Sequence, residues 1–174
     1  MKLNTCRKLF LKSVDDLMQA YRIKRFLPLL ESDIVSYLYY SIVKNNCDIA
    51  RQIHVCCRID SNDNKKYDLV FGKLLRTDKG KDCIEPKLVT EVKFYARSFS
   101  PQQKSKRFTD KDHNIKTDID KLLVLNANID KYLLIFEEGN YIKNRLNELK
   151  DYSKNKAKLI YINLNPLNNM VYKI

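Results

Sequence analysis

The 174 residues are the length of one ordinary domain, and a chain of that size can bury a core without disulfide or metal staples. With 44% hydrophobic and 31% charged residues it is neither disordered nor fibrous, and three glycines and four prolines argue against a repeat or loop-rich scaffold. The net charge of +12 is uneven, with +5 in residues 1–30 and +4 in residues 97–116, which favours a polyanionic partner such as nucleic acid. A solvated lysine-rich surface is the other reading of the charge taken alone.

In chain order, Leu3, Cys6, Phe10, Val14, Leu17, Met18 and Tyr21 recur at helical spacing and predict an amphipathic first helix. No secretory apolar region follows the start, and Asp15 and Asp16 in the basic opening argue against a transit peptide. Pro28 sits where a new helix can begin, and the stripe Ile34, Val35, Leu38, Ile42 predicts a second helix from Glu31 to about Val43. The run Ile34 to Val43 is the longest apolar stretch and is too short to cross a bilayer. Strands are predicted over Ile49–Ile59, Lys66–Leu75 and Lys87–Ala96, separated by the turn compositions Ser61-Asn62-Asp63-Asn64 and Thr77-Asp78-Lys79-Gly80.

Residues 97–116 lack a hydrophobic period and read as a long basic loop, whose Arg97, Lys104, Lys106, Arg107, Lys111 and Lys116 are candidate nucleic-acid contacts. Thr117 with Asp120 resembles a capping box opening a helix Asp118–Leu125. A short buried strand Tyr132–Phe136, a helix from about Tyr141 to Tyr152 and a last strand Lys158–Leu164 complete the set. The order predicts a single α/β domain over 1–174, with a central mixed sheet flanked by helices. Residues 1–28 form an extra helical segment on a core of residues 29–164.

Five cysteines, an odd number without a Cys-x-x-Cys pair, fit neither a disulfide framework nor a zinc site. They fit free thiols in a reducing compartment, and a soluble, cytoplasmic protein without a membrane partner is expected. Cys56 and Cys57 are strand neighbours and should project to opposite faces.

Glu-x-Lys occurs three times, and context separates the copies. Glu148-Leu149-Lys150 lies on a predicted helix, where residues two apart do not share a face. Glu85-Pro86-Lys87 is broken by proline ahead of a strand. Only Glu91-Val92-Lys93 lies inside an apolar strand, where Glu91 and Lys93 project from one face. Charges on a buried strand are costly unless function uses them. Asp68 interrupts the apolar run of the preceding strand, and antiparallel pairing could bring it beside Glu91. Two carboxylates plus the Val92 backbone carbonyl would make a hard-oxygen site suited to Mg²⁺. Glu31 falls on the buried stripe of the second helix, either as a cap at the dipole end or as a third carboxylate aimed at the same metal.

With helix-Glu, strand-Asp, strand-Glu-x-Lys and following helix in this order, the chain resembles the PD-(D/E)XK, restriction-endonuclease-like superfamily over roughly residues 29–164. Tyr67 stands where many members have the proline before the first aspartate. The resemblance implies a restriction-endonuclease-like core and a Mg²⁺-dependent DNA endonuclease, with Mn²⁺ as a substitute. Asp68 and Glu91 would bind the metal, Lys93 would position the attacking water, and Glu31 would be the helix carboxylate seen in many members. A homodimer is expected, since cutting two strands usually takes two active sites. The rival reading is a nucleic-acid-binding module on the same fold without catalysis. His54 and His113 lack ligand spacing, and Lys121 reads as a solvated lysine that could reach a phosphate.

Overall fold

The computed structural model describes residues 1–44, 46–60, 64–76, 82–109, 114–153, 156–164 and 171–173. Its elements are α1 (Leu3–Arg22), α2 (Glu31–Val43), β1 (Ile53–Arg58), β2 (Lys66–Arg76), β3 (Asp82–Tyr95), α3 (Pro101–Thr109), α4 (Ile115–Leu123), β4 (Asp130–Glu137), α5 (Leu146–Ser153), β5 (Lys158–Asn163) and β6 (Val171–Lys173). They make an α/β fold with an open mixed sheet and a helical N-terminal segment, the class expected from the element order. Two units divide the chain: Met1–Thr90 with Asn128–Asp130, and Glu91–Ala127 with Lys131–Ile174. Among the described residues no helix is long and apolar enough to cross a membrane.

In the first unit the predicted stripes are the buried faces. Cys6, Phe10, Val14 and Leu17 of α1 and Ile34, Val35, Leu38 and Ile42 of α2 are all inside. Phe10 meets Phe71 of β2 edge-on, with ring centroids 6.5 Å apart. The Asp16 carboxylate accepts the Ser41 hydroxyl at 2.7 Å, tying α1 to α2 through a satisfied polar pair. Asp33 caps the start of α2, its Oδ2 accepting the backbone N–H of Leu29 at 2.8 Å and of Leu30 at 2.9 Å.

The first part of the expected strand Ile49–Ile59 is instead a 3-10 turn, Cys47–Gln52, and β1 starts at Ile53. After α2 the chain keeps winding: Asn46 donates its backbone N–H to the Val43 carbonyl and its side-chain amide to Ile42, and Ile49 N–H returns to Asn46. Cys56 is exposed and has a positive φ of 47°, a departure from regular strand geometry, while Cys57 is half-buried, and burial pushes its thiol up to about 11, so it stays protonated at neutral pH. The turn residues 61–63 and 77–80 lie outside the described residues.

β1, β2 and the first part of β3 pair antiparallel. β3 starts at Asp82 and runs through Pro86, where the sequence pattern begins the strand at Lys87. The register slips by one residue between Phe71 and Gly72: Phe71 opposes Leu88 while Gly72 opposes Pro86. This bulge accommodates a residue without an N–H. A Cβ at Gly72 would sit 2.6 Å from both the Glu85 carbonyl oxygen and Ile84 Cγ2. Gly72→Ala is therefore expected to cost about 2 kcal/mol by overpacking. Urea denaturation with an unchanged midpoint would show that the bulge relaxes freely.

In the second unit the end of β3 is followed across the sheet by β4, β5 and β6. β4 and β5 pair in parallel from Tyr132 opposite Lys158 to Glu137 opposite Asn163, and β5 pairs antiparallel with β6, a strand the pattern does not predict. Parallel neighbours need a crossover, and α5 lies between them in the chain. Buried at every position from Lys131 to Glu137, β4 reads as the inner strand of such a unit.

Three expectations change here. The stretch expected as a basic loop contains α3, which begins at a capping box. Ser100 Oγ accepts Gln103 N–H at 3.2 Å, and Gln103 Oε1 accepts Ser100 N–H at 2.8 Å, with Pro101 in the first helical position. α4 starts at Ile115, three residues earlier than expected, because Asn114 is the cap: its Oδ1 accepts Thr117 N–H at 2.6 Å. α5 starts at Leu146, preceded by a 3-10 turn Lys143–Arg145, because the Glu137 carboxylate gathers the N–H groups of Tyr141, Ile142 and Lys143.

Candidate active site

The site belongs to the second unit and is built from one strand and one helix. On β3, Glu91 and Lys93 are two residues apart and share a face, as period-two geometry requires. α4 presents Ile115, Asp118, Ile119 and Leu122 at spacings of three and four, so an aspartate sits on its buried stripe. Lys121 is one turn on from Asp118.

The four charges interlock. Lys93 Nζ lies 2.7 Å from Asp118 Oδ2, and Lys121 Nζ lies 2.7 Å from Glu91 Oε1 and 3.4 Å from Asp118 Oδ1. Side-chain exposure is 3% for Glu91, 8% for Asp118, 11% for Lys93 and 20% for Lys121. Two carboxylates and two ammonium groups out of water gain little net stability, because desolvation offsets their attraction. Apolar residues of similar volume would hold α4 on β3 at least as well. A buried, charge-balanced group of this kind is where a chemical role is to be sought.

Of the sequence-predicted residues, the structure brings Glu91 and Lys93 together with Asp118 and Lys121. Val92 between them is fully buried. Glu31, the first residue of α2, and Asp68, in β2, are half-buried and belong to the first unit. Asp33 is the cap of α2, which assigns the capping role to it rather than to Glu31. Among the described residues no three His, Cys, Asp or Glu side chains are grouped as a metal cage. Mg²⁺ does not need one, since it keeps several waters and binds through one or two carboxylates plus substrate phosphate. Each carboxylate of the quartet meets a lysine ammonium at 2.7 Å, so a divalent ion would bind here only in competition with those ammonium groups.

The predicted basic contacts divide by what they touch. Arg97 and Lys106 are exposed and Lys104 is half-buried on α3. Arg107 is engaged inside the unit, donating Nη1 to the Phe94 carbonyl at 3.3 Å and lying 4.5 Å from the Phe99 ring centre. Lys116 pairs with Glu148 at 2.7 Å and sits over the Phe108 and Tyr152 rings. Lys111 and His113 lie outside the described residues.

Sequence reasoning misses Asp118 and reads Lys121 as solvated. A signal exists for the first: an acidic residue at i+3 between Ile115 and Ile119 interrupts an apolar stripe, the same pattern that singles out Glu31. The misplaced helix start obscures it. Comparison of the chain with protein-family models, curated proteins and solved structures gives no match in any of the three.

Proposed function

We propose that the protein is a Mg²⁺-dependent DNA endonuclease that hydrolyses phosphodiester bonds, on a restriction-endonuclease-like core. One observation carries the reading: Glu91 and Lys93 of a Glu-x-Lys strand are buried together, cross-paired with Asp118 and Lys121 of the helix behind them. Glu91 would hold the metal, with the Val92 carbonyl beside it. In this reading Asp68, a half-buried carboxylate of β2, is the companion ligand expected from the sequence. Bound there, Mg²⁺ supplies charge stabilisation for the phosphoryl oxygens and a lowered pKa for water. Lys93 would orient the attacking water as a hydrogen-bond donor, and Asp118 would fix the direction of the Lys93 ammonium as a positioning residue. Glu31 is a further carboxylate to be tested, and Mn²⁺ should replace Mg²⁺. A homodimer would supply two sites for two strands. Five free thiols fit a cytoplasmic location.

The experiment is a panel of duplex, single-stranded and four-way-junction DNA, plus RNA, incubated with the protein and Mg²⁺. Cleavage of at least one DNA is expected. Binding without cleavage of any member would favour the second reading, a non-catalytic nucleic-acid-binding module. That reading draws on the same geometry, since each carboxylate of the quartet is already neutralised by a lysine.

The basic segment gives a separate expectation. Among the described residues of the segment, Arg97, Lys104 and Lys106 are available to phosphates, whereas Arg107 and Lys116 hold the unit together. Lys104→Gln with Lys106→Gln should flatten log K against log salt by about 0.9 for each phosphate that is no longer neutralised. Arg107→Gln should instead lower the melting temperature. An unchanged salt slope in the double variant would place the DNA path elsewhere, with the basic α1 as the next surface to neutralise.

A further inference from the structure

We infer that Lys121 is a built-in counter-ion of the metal site, its ammonium neutralising Glu91 until a divalent cation displaces it. The inference rests on the reading of Glu91 as a metal ligand.

Glu91 has a side chain only 3% exposed, and a carboxylate so buried requires a cation nearby. Lys121 meets that need at 2.7 Å. A metal ion on Glu91 and an ammonium at the same oxygen would repel each other strongly in a site with little water. That repulsion favours withdrawal of one of the two, and the geometry identifies which. Lys121 is the most exposed member of the quartet, at 20%, and sits on a flexible four-carbon stem. It also has a second place to go: Asp118 Oδ1, one helical turn back, is already 3.4 Å from its Nζ. Lys93 is differently placed, being 11% exposed and held by Asp118 at 2.7 Å, so it can stay as the water-orienting group. The movement is a hand-over of one ammonium from Glu91 towards Asp118, with no break in α4.

A lysine in this role keeps the metal-free protein folded around a buried carboxylate, and it sets the metal concentration at which the site loads. Removing it should therefore strengthen metal binding. That sign separates a counter-ion from a substrate-gripping or merely structural lysine, neither of which opposes the metal.

The test is calorimetric titration of Mn²⁺ into metal-free wild type and Lys121→Met, without nucleic acid. The methionine keeps the length of the stem and removes the charge. The dissociation constant is expected to fall about tenfold in the variant, as removal of a neighbouring like charge implies. In parallel, the lysine ammonium signals of ¹⁵N-labelled wild type are followed by NMR during addition of Mg²⁺. Lys121 should shift or broaden on saturation while Lys93 persists, a measurement that stands even if Lys121→Met does not fold. Equal or weaker Mn²⁺ binding by the folded variant, or an unmoved Lys121 signal at saturation, overturns the counter-ion role and leaves the nuclease reading intact. Absence of metal binding in both proteins overturns the metal site itself and the inference with it.

Discussion

Glu91→Gln and Lys93→Met are each expected to lower DNA cleavage by roughly a thousandfold or more, as removal of a metal ligand or a water-activating group does. Neither should unfold the protein. Glu91→Gln preserves shape, and Lys121 keeps Asp118 as its second partner at 3.4 Å. Lys93→Met leaves Lys121 to serve both carboxylates, 2.7 Å from Glu91 and 3.4 Å from Asp118, so it should lower the melting temperature without abolishing the fold. The two variants should differ in metal binding: Glu91→Gln weakens it, and Lys93→Met spares it. Asp68→Asn should behave like Glu91→Gln. Single-turnover cleavage at equal folded concentration, with circular dichroism as the folding control, checks the set. Activity near wild type in either β3 variant would mean that the buried quartet serves packing alone.

The largest effect on stability is expected at Glu137. This carboxylate is completely buried at the end of β4 and accepts four donors: the N–H groups of Tyr141, Ile142 and Lys143, and the Tyr161 hydroxyl at 2.7 Å. It thereby organises the turn that leads into α5 and holds β5 beside it. Its charge is offset by peptide dipoles at the start of that 3-10 turn, an arrangement that suits an anion. Glu137→Ala leaves those donors unsatisfied and opens a cavity, at a cost of about 3–5 kcal/mol. For a chain of this size the melting temperature should fall by roughly 10 °C. Glu137→Gln, which keeps the volume and one acceptor oxygen, should fall between the two proteins. A decrease of only a degree or two in the alanine variant would show that water takes over the four bonds.

Much of this architecture is legible before folding, and the failures have physical causes. The α2 boundaries and the pairing of Glu91 with Lys93 on one face follow directly from hydrophobic period and burial. α3 is hidden because it buries little beyond Phe108, so it has no apolar stripe to read; its Ser100-Pro101-Gln102-Gln103 capping box is the available sign. Pro86 masks the true start of β3, since a proline is tolerated in a strand only where a bulge frees it from donating. The partners of the Glu-x-Lys pair escape for a different reason. Asp118 and Lys121 reach Glu91 and Lys93 only through tertiary contact, and no local spacing specifies which helix will cover a strand. Lys121 is hidden by composition as well: among 33 basic residues a single lysine carries little information until its neighbour is known.

Whether the buried quartet performs metal-dependent hydrolysis is tested most directly by one measurement. Wild-type protein is incubated with supercoiled plasmid in EDTA, then in Mg²⁺, then in EDTA again with fresh plasmid, with DNA binding followed by gel shift throughout. Nicked or linear product in Mg²⁺ alone, with binding persisting in EDTA, is the predicted result. Intact plasmid in Mg²⁺ despite retained binding, or cleavage that continues unchanged in EDTA, would contradict it.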